Sequence, residues 1–402
     1  MTARLFSIPD FRRLWLVGFV ICIVRWLEML ALALFAYQIT GSAFVVAMLT
    51  MVRLLPMALF GAIIGAAAER FDRRRALTLV VMISIATSFA LAVLASLDAI
   101  QVWHLVVASF INGVGWAADH PVRRMMIGDV VGAHRIGPGL SIDTATNNGC
   151  RIIGPMLSGL LLANYGIESV FWFSLALYVS SLVAVLGMRL PGRVAVSHRS
   201  SFIASISEGF AWVRRDPRLI GVFALTIIFN IFGWPYTSMI PVIATDYLHL
   251  GPKGVGLLAS CEGAGGLAGA LLVAGLRPAW NGRVYMYSVA GYLLMVIGFA
   301  LAPVVPVAAL ALFLSGMFNG AFAVMQVTLV YRSAPVEMRA RLLGVASVCI
   351  GMGPIGFLYL GFLAEFLTPR IATVALGAQG LLALLLTRRY WIAALRPQTN
   401  VQ

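Results

Sequence analysis

Two glutamates lie inside long apolar segments of this sequence, where a charged side chain needs a reason to be present. Glu28 falls within the first apolar run, and Glu262 falls within a glycine-rich run in the second half of the chain. A charge at the depth of a lipid bilayer costs roughly 2.5 kcal/mol or more unless it is paired or hydrated. A carboxyl group held there can take a proton from one side and release it to the other. Glu28 and Glu262 are therefore candidates for proton coupling.

The sequence neighbours of the two glutamates differ, and this leaves two interpretations open. Arg25 precedes Glu28 by three residues, so both lie on one helical face and can form a structural ion pair. Glu262 has glycines around it and no charged residue nearby, which favours proton coupling more strongly there. For Asp119 and Asp143, which lie nearer the ends of their segments, ion pairs at the membrane interface are the simpler interpretation.

Other polar and aromatic residues within the apolar runs are candidates to line a substrate cavity, because buried polar groups in membrane helices mark binding and transport pathways. Within the apolar runs of the first half, Arg25, Arg53 and Arg151 outnumber Glu28. This surplus of positive charge favours an amphiphilic anion as the ligand. Aromatic residues in such helices more often serve packing. The candidate cavity residues are Arg25, Arg53, Asn147, Arg151, Asn230, Trp234, Asn319 and Gln326.

The elements that must carry these residues are long and apolar. The 402 residues are 61% hydrophobic and only 11% charged, whereas charged residues make up about a quarter of a soluble domain. About twelve runs reach the roughly 20 residues that a membrane-spanning helix requires. In lipid, the backbone groups of such runs must be satisfied internally, and the short alternating segments of a β-barrel are missing from the sequence. The sequence therefore predicts an all-α integral membrane fold.

The longest polar interval divides the chain into two sets of about six spans. We predict an N-terminal six-helix half at residues 1–188, a cytoplasmic linker at residues 189–218 and a C-terminal six-helix half at residues 219–402. A weak internal repeat supports this division, because Gly154-Pro155 and Gly353-Pro354 occupy corresponding places in the two halves. Paired halves with a binding site between them are typical of secondary transporters.

The linker itself is expected to contain structure. Apolar residues at helical spacing predict an amphipathic helix over residues 201–215 that lies on the membrane surface. Pro217 separates this helix from the span that follows, because proline breaks a helix at that point.

A charged turn at residues 65–75 joins two apolar runs, so it must lie at a membrane surface and close a helical hairpin. Most of the 29 Lys and Arg residues fall in loops on that side, while the opposite loops hold Lys253 and Arg370. This asymmetry predicts that both termini are cytoplasmic. The net charge of +14 is therefore a topology signal and does not indicate nucleic-acid binding.

Motifs for metal binding and for catalysis are missing from the sequence. The four cysteines fall inside apolar runs without metal-ligand spacing, which predicts buried free thiols. Phosphate-binding loops, nucleophile elbows and zinc-protease motifs are also missing. We therefore expect no enzyme activity, no metal and no cofactor. The first apolar run exceeds the length of a signal-peptide core, so we expect it to be retained as a helix.

Several motifs, taken in their order along the chain, resemble the major facilitator superfamily. Within that superfamily they resemble the drug/proton antiporter branch, which includes siderophore exporters, such as the enterobactin exporter, and macrolide exporters. The charged turn departs from the family pattern, since Glu69 replaces an aspartate and Asp72 replaces a glycine. The segments that carry the resemblance are residues 11–15, 39–42, 53–56, 65–75, 121–123, 151–155, 208–217 and 335–341.

The resemblance implies a gate on the cytoplasmic side. In the family the acidic residue of this turn, here Glu69, caps a helix N-terminus of the opposite half, and an arginine, here Arg73, meets an acid corresponding to Asp129. The alternative is a surface turn without a gating role. The gate residues implied in this way are Gly65, Glu69, Arg70, Arg73, Arg74 and Asp129.

The fifth span resembles the antiporter motif of the same branch. Its residues here are Gly154, Pro155 and Gly159, with Ser158 in place of a second glycine. In this motif Gly-Pro kinks the helix and the small residues let neighbouring helices approach. The alternative is ordinary packing of small residues.

Residues and resemblance together predict a multi-pass protein of the cell membrane, with a bacterial inner membrane favoured. We expect a monomeric, proton-coupled exporter of a small amphiphilic organic molecule, such as a drug or siderophore, that works by alternating access. The alternatives are a lipid or lysolipid flippase, a proton-coupled importer of the same fold, and a membrane scaffold that transports nothing. The expected partners are the small-molecule substrate, protons and the lipid bilayer.

Overall fold

A computed structural model gives the structure of the chain, and its described regions are mainly helical. It describes residues 5–70, 72–189, 202–276, 281–335 and 338–392, and within these ranges the side chains of residues 61–70, 133, 202–206, 281 and 340 are left undescribed. All regular elements in the described ranges are helical, so the predicted all-α fold is confirmed.

The first part of the chain forms five long helices. Each is rich in apolar residues and has few charges, as expected for segments that bury their backbone bonds in lipid. They are α1 (Pro9–Thr40), α2 (Ala43–Arg70), α3 (Arg73–Ser96), α4 (Val102–Val131) and α5 (Ile136–Leu186), with a short 3₁₀ turn at Ala133–Arg135 before α5.

The second part contains shorter and more interrupted helices. The span at Pro217–Asp246 is composite, because α7 passes into a π-helical turn at Phe229–Gly233 and a 3₁₀ segment at Trp234–Met239 before α8. The helices are α6 (Phe202–Val213), α7 (Pro217–Ile228), α8 (Ile240–Asp246), α9 (Pro252–Leu276), α10 (Asn281–Leu301), α11 (Val305–Ser333), α12 (Arg339–Ile350), α13 (Gly353–Phe366), α14 (Pro369–Leu386) and α15 (Arg388–Trp391).

The number of membrane spans agrees with the sequence prediction. Within the described residues, 10 helical segments are long and apolar enough to cross a membrane. One of them, α5, has 51 residues and is interrupted at Gly166, whose φ of 77° is not helical, so it supplies two spans. The 30-residue α4 falls outside that set, yet it is long enough to cross. With these two additions the fold has the predicted number of spans, about twelve.

The chain packs as two compact units. Unit 1 consists of Met1–Gly41, Val52–Arg199 and Gly251–Ser260, and unit 2 consists of Ser42–Met51, Ser200–Leu250 and Cys261–Gln402. The unit bounds divide α2 and α9, each of which starts in one unit and continues in the other. The sequence-based halves at 1–188 and 219–402, with their linker, remain a prediction.

Helix α6 occupies the position where an amphipathic helix was predicted. Within unit 2 it packs against α12, where Glu208 forms an ion pair of 2.9 Å with Arg341. A β carbon on Gly209 would come within 2.8 Å of Val345, so the glycine permits this close approach. The next helix begins at Pro217, which suits the first helical position because that position needs no N–H donor.

Candidate functional site

Unit 1 contains a buried cluster of charges that joins three helices. Arg25 of α1 donates to Asp119 of α4 at 3.2 Å, and the Asp119 side chain is completely buried. Arg123, one turn further along α4, donates to Asp119 at 3.0 Å and also pairs with Asp143 of α5. Two positive and two negative charges thus neutralise one another, as buried charges must.

This cluster corrects one expectation from the sequence. Arg25 pairs with Asp119 and not with Glu28, although the spacing of three residues permitted an intrahelical pair. The partner of Arg25 thus comes from another helix, while Glu28, which is equally buried, is hydrogen-bonded to other groups. Asp119 and Asp143 do form ion pairs, and they are 0% and 8% exposed; that these pairs lie near the membrane interface stays a prediction.

Glu28 is held by neutral groups. Its carboxylate is 1% exposed and accepts hydrogen bonds from the hydroxyl of Ser88 on α3 at 3.0 Å and from the amide of Asn112 on α4 at 3.1 Å. Within the described part of the chain, no basic nitrogen lies at ion-pair distance from this carboxylate. Glu28 can therefore gain a proton without losing a salt bridge of its own.

Arg53 of α2 lies next to this carboxylate and is 4% exposed. Its Nη2 atom donates to the backbone carbonyl of Arg25 at 3.2 Å, and its charge interacts with that of Glu28. Its Nε and Nη1 atoms are buried without an acceptor. Helix α2 approaches α4 closely at this point, because a β carbon on Gly113 would overlap the Arg53 carbonyl oxygen and lie 3.0 Å from Pro56.

The remaining candidates of unit 1 lie between α1 and α5. Asn147 accepts from the thiol of Cys22 at 2.8 Å, and the Arg151 guanidinium lies 5.3 Å from the ring centroid of Trp26. A guanidinium over an aromatic face is stabilised by the ring's quadrupole. These side chains help to hold α5 against α1.

All four cysteines are free, as the sequence predicted. Three of them are buried, and Cys261 is only partly buried.

Unit 2 brings two predicted residues together. Glu262 of α9 is 5% exposed and accepts a hydrogen bond of 3.2 Å from the amide of Asn319 on α11. The two helices approach unusually closely, since β carbons at the glycines between them would overlap carbonyl oxygens of the facing helix. Small residues four apart permit such packing in membranes. These glycines are Gly265 and Gly269 on α9, with Gly316 and Gly320 on α11.

Asn230 and Gln326 belong to a satisfied polar cluster in the core of unit 2. Asn230, in the π-helical turn, donates to the Thr226 carbonyl at 2.8 Å. Gln326 donates to the Thr226 hydroxyl at 3.0 Å, and that hydroxyl also bonds to Tyr285 at 2.8 Å. The two amides are 3% and 7% exposed. Both amides take part in hydrogen bonds within unit 2, and their predicted role in lining a cavity stays a prediction.

Trp234 marks the start of the 3₁₀ segment in the composite span. Its ring meets Phe357 of α13 edge to face at 5.6 Å, and a β carbon on Gly353 would lie 3.3 Å from it. Nearby, Phe229 stacks on Phe322 with centroids 3.9 Å apart. π-helical turns within helices often occur at functional sites, and this one places Trp234 only half-buried.

The charged turn is partly described. Arg73 forms an ion pair with Asp129 of α4, and Arg74 donates to the carbonyls of Val185 and Leu186 at 3.3 Å and 2.6 Å. The pairing implied by family resemblance is thus present within unit 1. The side chains of Gly65, Glu69 and Arg70 lie outside the described residues, so the capping role of Glu69 stays a prediction.

The antiporter-like motif places its small residues at close helix contacts. A β carbon on Gly154 would lie 2.6 Å from Cβ of Trp26, and one on Gly159 would lie 2.5 Å from the carbonyl of Pro252. Both contacts lie within unit 1. Pro155 lies inside α5, where the backbone keeps helical dihedral angles. The non-helical dihedral angles of α5 occur further along, at Gly166.

In the described part of the chain, about twelve membrane-spanning segments with charged side chains buried among them are typical of the major facilitator fold. The family model described as transmembrane secretion effector matches residues 3–399, and the chain belongs to this family. The predicted resemblance to facilitator drug exporters is confirmed.

Among named relatives, macrolide efflux protein A of Streptococcus pyogenes is 23% identical over 65% of this chain and 65% of its own length. The multidrug efflux pump Tap of Mycolicibacterium fortuitum is 27% identical over 82% of each chain.

Solved structures agree on the fold. A bacterial homologue of the human lysosomal transporter Spinster, in an inward-facing and unoccupied conformation, gives a TM-score of 0.73 at 15% identity and covers 96% of this chain and 97% of its own. The nucleoside transporter NupG gives a TM-score of 0.74 at 13% identity, with 96% and 98% covered. Family and fold are those of membrane transporters and not of enzymes.

Proposed function

We propose that this transporter is a proton-coupled exporter of a small amphiphilic organic molecule and that it works by alternating access. The efflux proteins among its relatives support the export direction. The observation that carries the proton coupling is the environment of Glu28, a buried carboxylate held by the neutral donors Ser88 and Asn112.

This environment separates Glu28 from the other buried acids of unit 1. Asp119 and Asp143 each contact an arginine directly, so protonating either of them would break a buried ion pair, which is strongly unfavourable. Arg53 interacts with Glu28 through its charge, but protonating Glu28 breaks no such direct ion pair. Ser88 can accept a hydrogen bond as well as donate one, so it remains a partner for Glu28 in either protonation state. Of these three buried acids of unit 1, Glu28 is thus the one best suited to bind and release a proton during transport.

Glu262 is the second proposed coupling residue. It is buried and accepts a hydrogen bond from the amide of Asn319, and the close packing of α9 on α11 holds these two side chains together. Glu28 belongs to unit 1 and Glu262 to unit 2. Each unit would therefore carry one proton-binding group during the alternating-access cycle.

We further propose that both termini lie in the cytoplasm of a bacterial cell and that the protein is a monomer. The arginine distribution supports the orientation. The ion pair between Arg73 and Asp129 supports a gate at the charged turn, since it ties α3 to α4 beside that turn.

The experiment is dye efflux from proteoliposomes under an imposed pH gradient, with a cationic rhodamine methyl ester as the probe. We expect the gradient to drive dye movement in wild type and Glu28→Gln to slow it by about tenfold or more, as loss of a proton-transfer group commonly does. Glu365→Gln is the matched control, because this glutamate is exposed at the end of α13. Unchanged coupling in Glu262→Gln would remove that residue from the proposal.

The same vesicles separate the other functions. Movement of dye with the protons, and not against them, would identify an importer. Exchange of a labelled lysolipid between leaflets, without gradient-driven dye movement, would identify a flippase. A protein that moves neither probe would contradict transport by this mechanism.

A further inference from the structure

Arg53 is an unusual buried arginine. It is 4% exposed, and two of its guanidinium nitrogens, Nε and Nη1, have no acceptor. Buried donors normally find partners, and an unpaired one costs the free energy of a lost hydrogen bond. Among the buried arginines that the structure describes, Arg53 is the one with two such atoms.

The groups around Arg53 supply no acceptor for its Nε and Nη1 atoms. Its Nη2 atom is used by the carbonyl of Arg25. The nearby carboxylate of Glu28 takes its hydrogen bonds from Ser88 and Asn112. Arg53 therefore interacts with the proposed proton-binding carboxylate while two of its own donors lack an acceptor.

We propose that Arg53 is a substrate-binding residue whose free donors bind an uncharged oxygen of the transported molecule, such as an ester, lactone, ether or amide oxygen. This inference rests on the proposed function, because it places the substrate beside the carboxylate that exchanges protons. It goes beyond that function in naming the chemical group that is recognised.

The charge balance of the cluster argues for an uncharged oxygen and against an anion. Asp119 and Asp143 neutralise Arg25 and Arg123, so the surplus of arginines that pointed to an anionic ligand is smaller than the sequence indicated. The charge of Arg53 is already opposed by Glu28. Among the described residues, Arg25 and the hydroxyl of Tyr178 on α5 are further titratable groups that interact with this pair.

The direction of coupling leads to the same choice. An anion would compete with the Glu28 carboxylate for Arg53, so protonation of Glu28 would strengthen anion binding. Proton and anion would then travel together, which is the opposite of exchange. A neutral oxygen on Arg53, in a molecule whose donor or cationic group approaches Glu28, instead makes proton and substrate compete.

Three matched dyes test the assignment by equilibrium binding to the purified protein. They are a cationic rhodamine methyl ester, the same dye hydrolysed to its carboxylate, and the parent rosamine that lacks the group altogether. We expect wild type to bind the ester most tightly. Arg53→Gln should weaken ester binding about tenfold, the value of a charge-assisted hydrogen bond, and change rosamine binding less than about twofold.

Controls separate recognition from folding. Arg53→Lys keeps a charged donor and should retain part of the ester preference, whereas Arg124→Gln, on an exposed part of α4, should leave binding of all three dyes unchanged. Thermal unfolding of each variant shows whether it is folded. The proposal is supported if Arg53→Gln loses the preference for the ester while it keeps the unfolding temperature of wild type.

Two results would overturn it. If wild type binds the ester no better than the rosamine, or Arg53→Gln affects both equally, Arg53 does not recognise the oxygen. If the carboxylate dye binds most tightly, the site is an anion site. Failure of the proposed function has a different signature, in which ester binding still depends on Arg53 but a pH gradient moves no dye.

Discussion

The buried charge cluster of unit 1 gives a prediction whose size follows from its geometry. Asp119 is completely buried and accepts hydrogen bonds from Arg25 and Arg123 at 3.2 Å and 3.0 Å. Asp119→Asn keeps the shape of the side chain but removes the negative charge between two guanidinium groups. Removal of one partner from a buried ion pair costs about 3 to 5 kcal/mol, so we expect a loss of stability of that size.

The measurement is equilibrium unfolding of the purified protein in mixed micelles, followed by tryptophan fluorescence. Glu365→Gln removes an exposed carboxylate of the same chemistry and should change the free energy of unfolding by less than about 0.5 kcal/mol. Comparison of the two variants isolates the effect of burial.

A double variant sharpens the test. Asp119→Asn leaves Arg25 without a carboxylate partner, whereas Arg123 keeps Asp143. Adding Arg25→Gln removes the unpaired guanidinium, so part of the lost stability should return. We expect a coupling free energy of about 1 kcal/mol or more between the two positions. A loss below about 1 kcal/mol for Asp119→Asn, or simple additivity in the double variant, would refute a neutralised cluster that ties α1, α4 and α5 together.

Three further predictions follow from other contacts. Gly320→Ala should lower stability by about 2 kcal/mol or more, because its methyl group would overlap the facing helix. Gly298→Ala, inside α10 with open space around it, should leave stability unchanged or raise it slightly in the same unfolding assay. Charge reversal at Arg73 or Asp129 should slow dye efflux, and exchange of both should restore part of it; an unrestored double reversal argues against the pair. A cysteine placed at Asp98, in a background without native cysteines, should react with an impermeant reagent only from outside intact cells, and labelling only from inside would invert the topology.

The fold was predictable because its signals are local. The length of each apolar run and the uneven distribution of arginines between loops can be read along the sequence. Neither signal requires knowledge of contacts between helices. Gly166 shows the limit of this reasoning, since one residue with positive φ divides α5 within an apolar stretch.

The candidate site was predictable only in part. Glu28 and Glu262 stand out because charges are rare in apolar runs, but their partners Ser88 and Asn319 come from other helices. Such pairings depend on helix rotation and register, which sequence spacing within one helix does not determine. Arg25 illustrates the error, because an intrahelical partner was available in sequence and an interhelical one was formed.

One missed feature left a signal in the sequence. The glycine pairs of α9 and α11 have the spacing of four residues that favours close helix packing. That spacing indicates that each helix has a close neighbour, and the structure identifies the neighbour. The Arg53 donors, in contrast, left no signal, because an unsatisfied nitrogen is defined only by the atoms around it.

The central claim is that proton and substrate compete at Glu28. Its most direct test is the number of protons released when a cationic rhodamine methyl ester binds to the purified protein in weakly buffered detergent solution. We predict proton release on binding in wild type and none in Glu28→Gln, with Glu365→Gln behaving as wild type. Proton uptake on binding, or release that persists in Glu28→Gln, would contradict the claim.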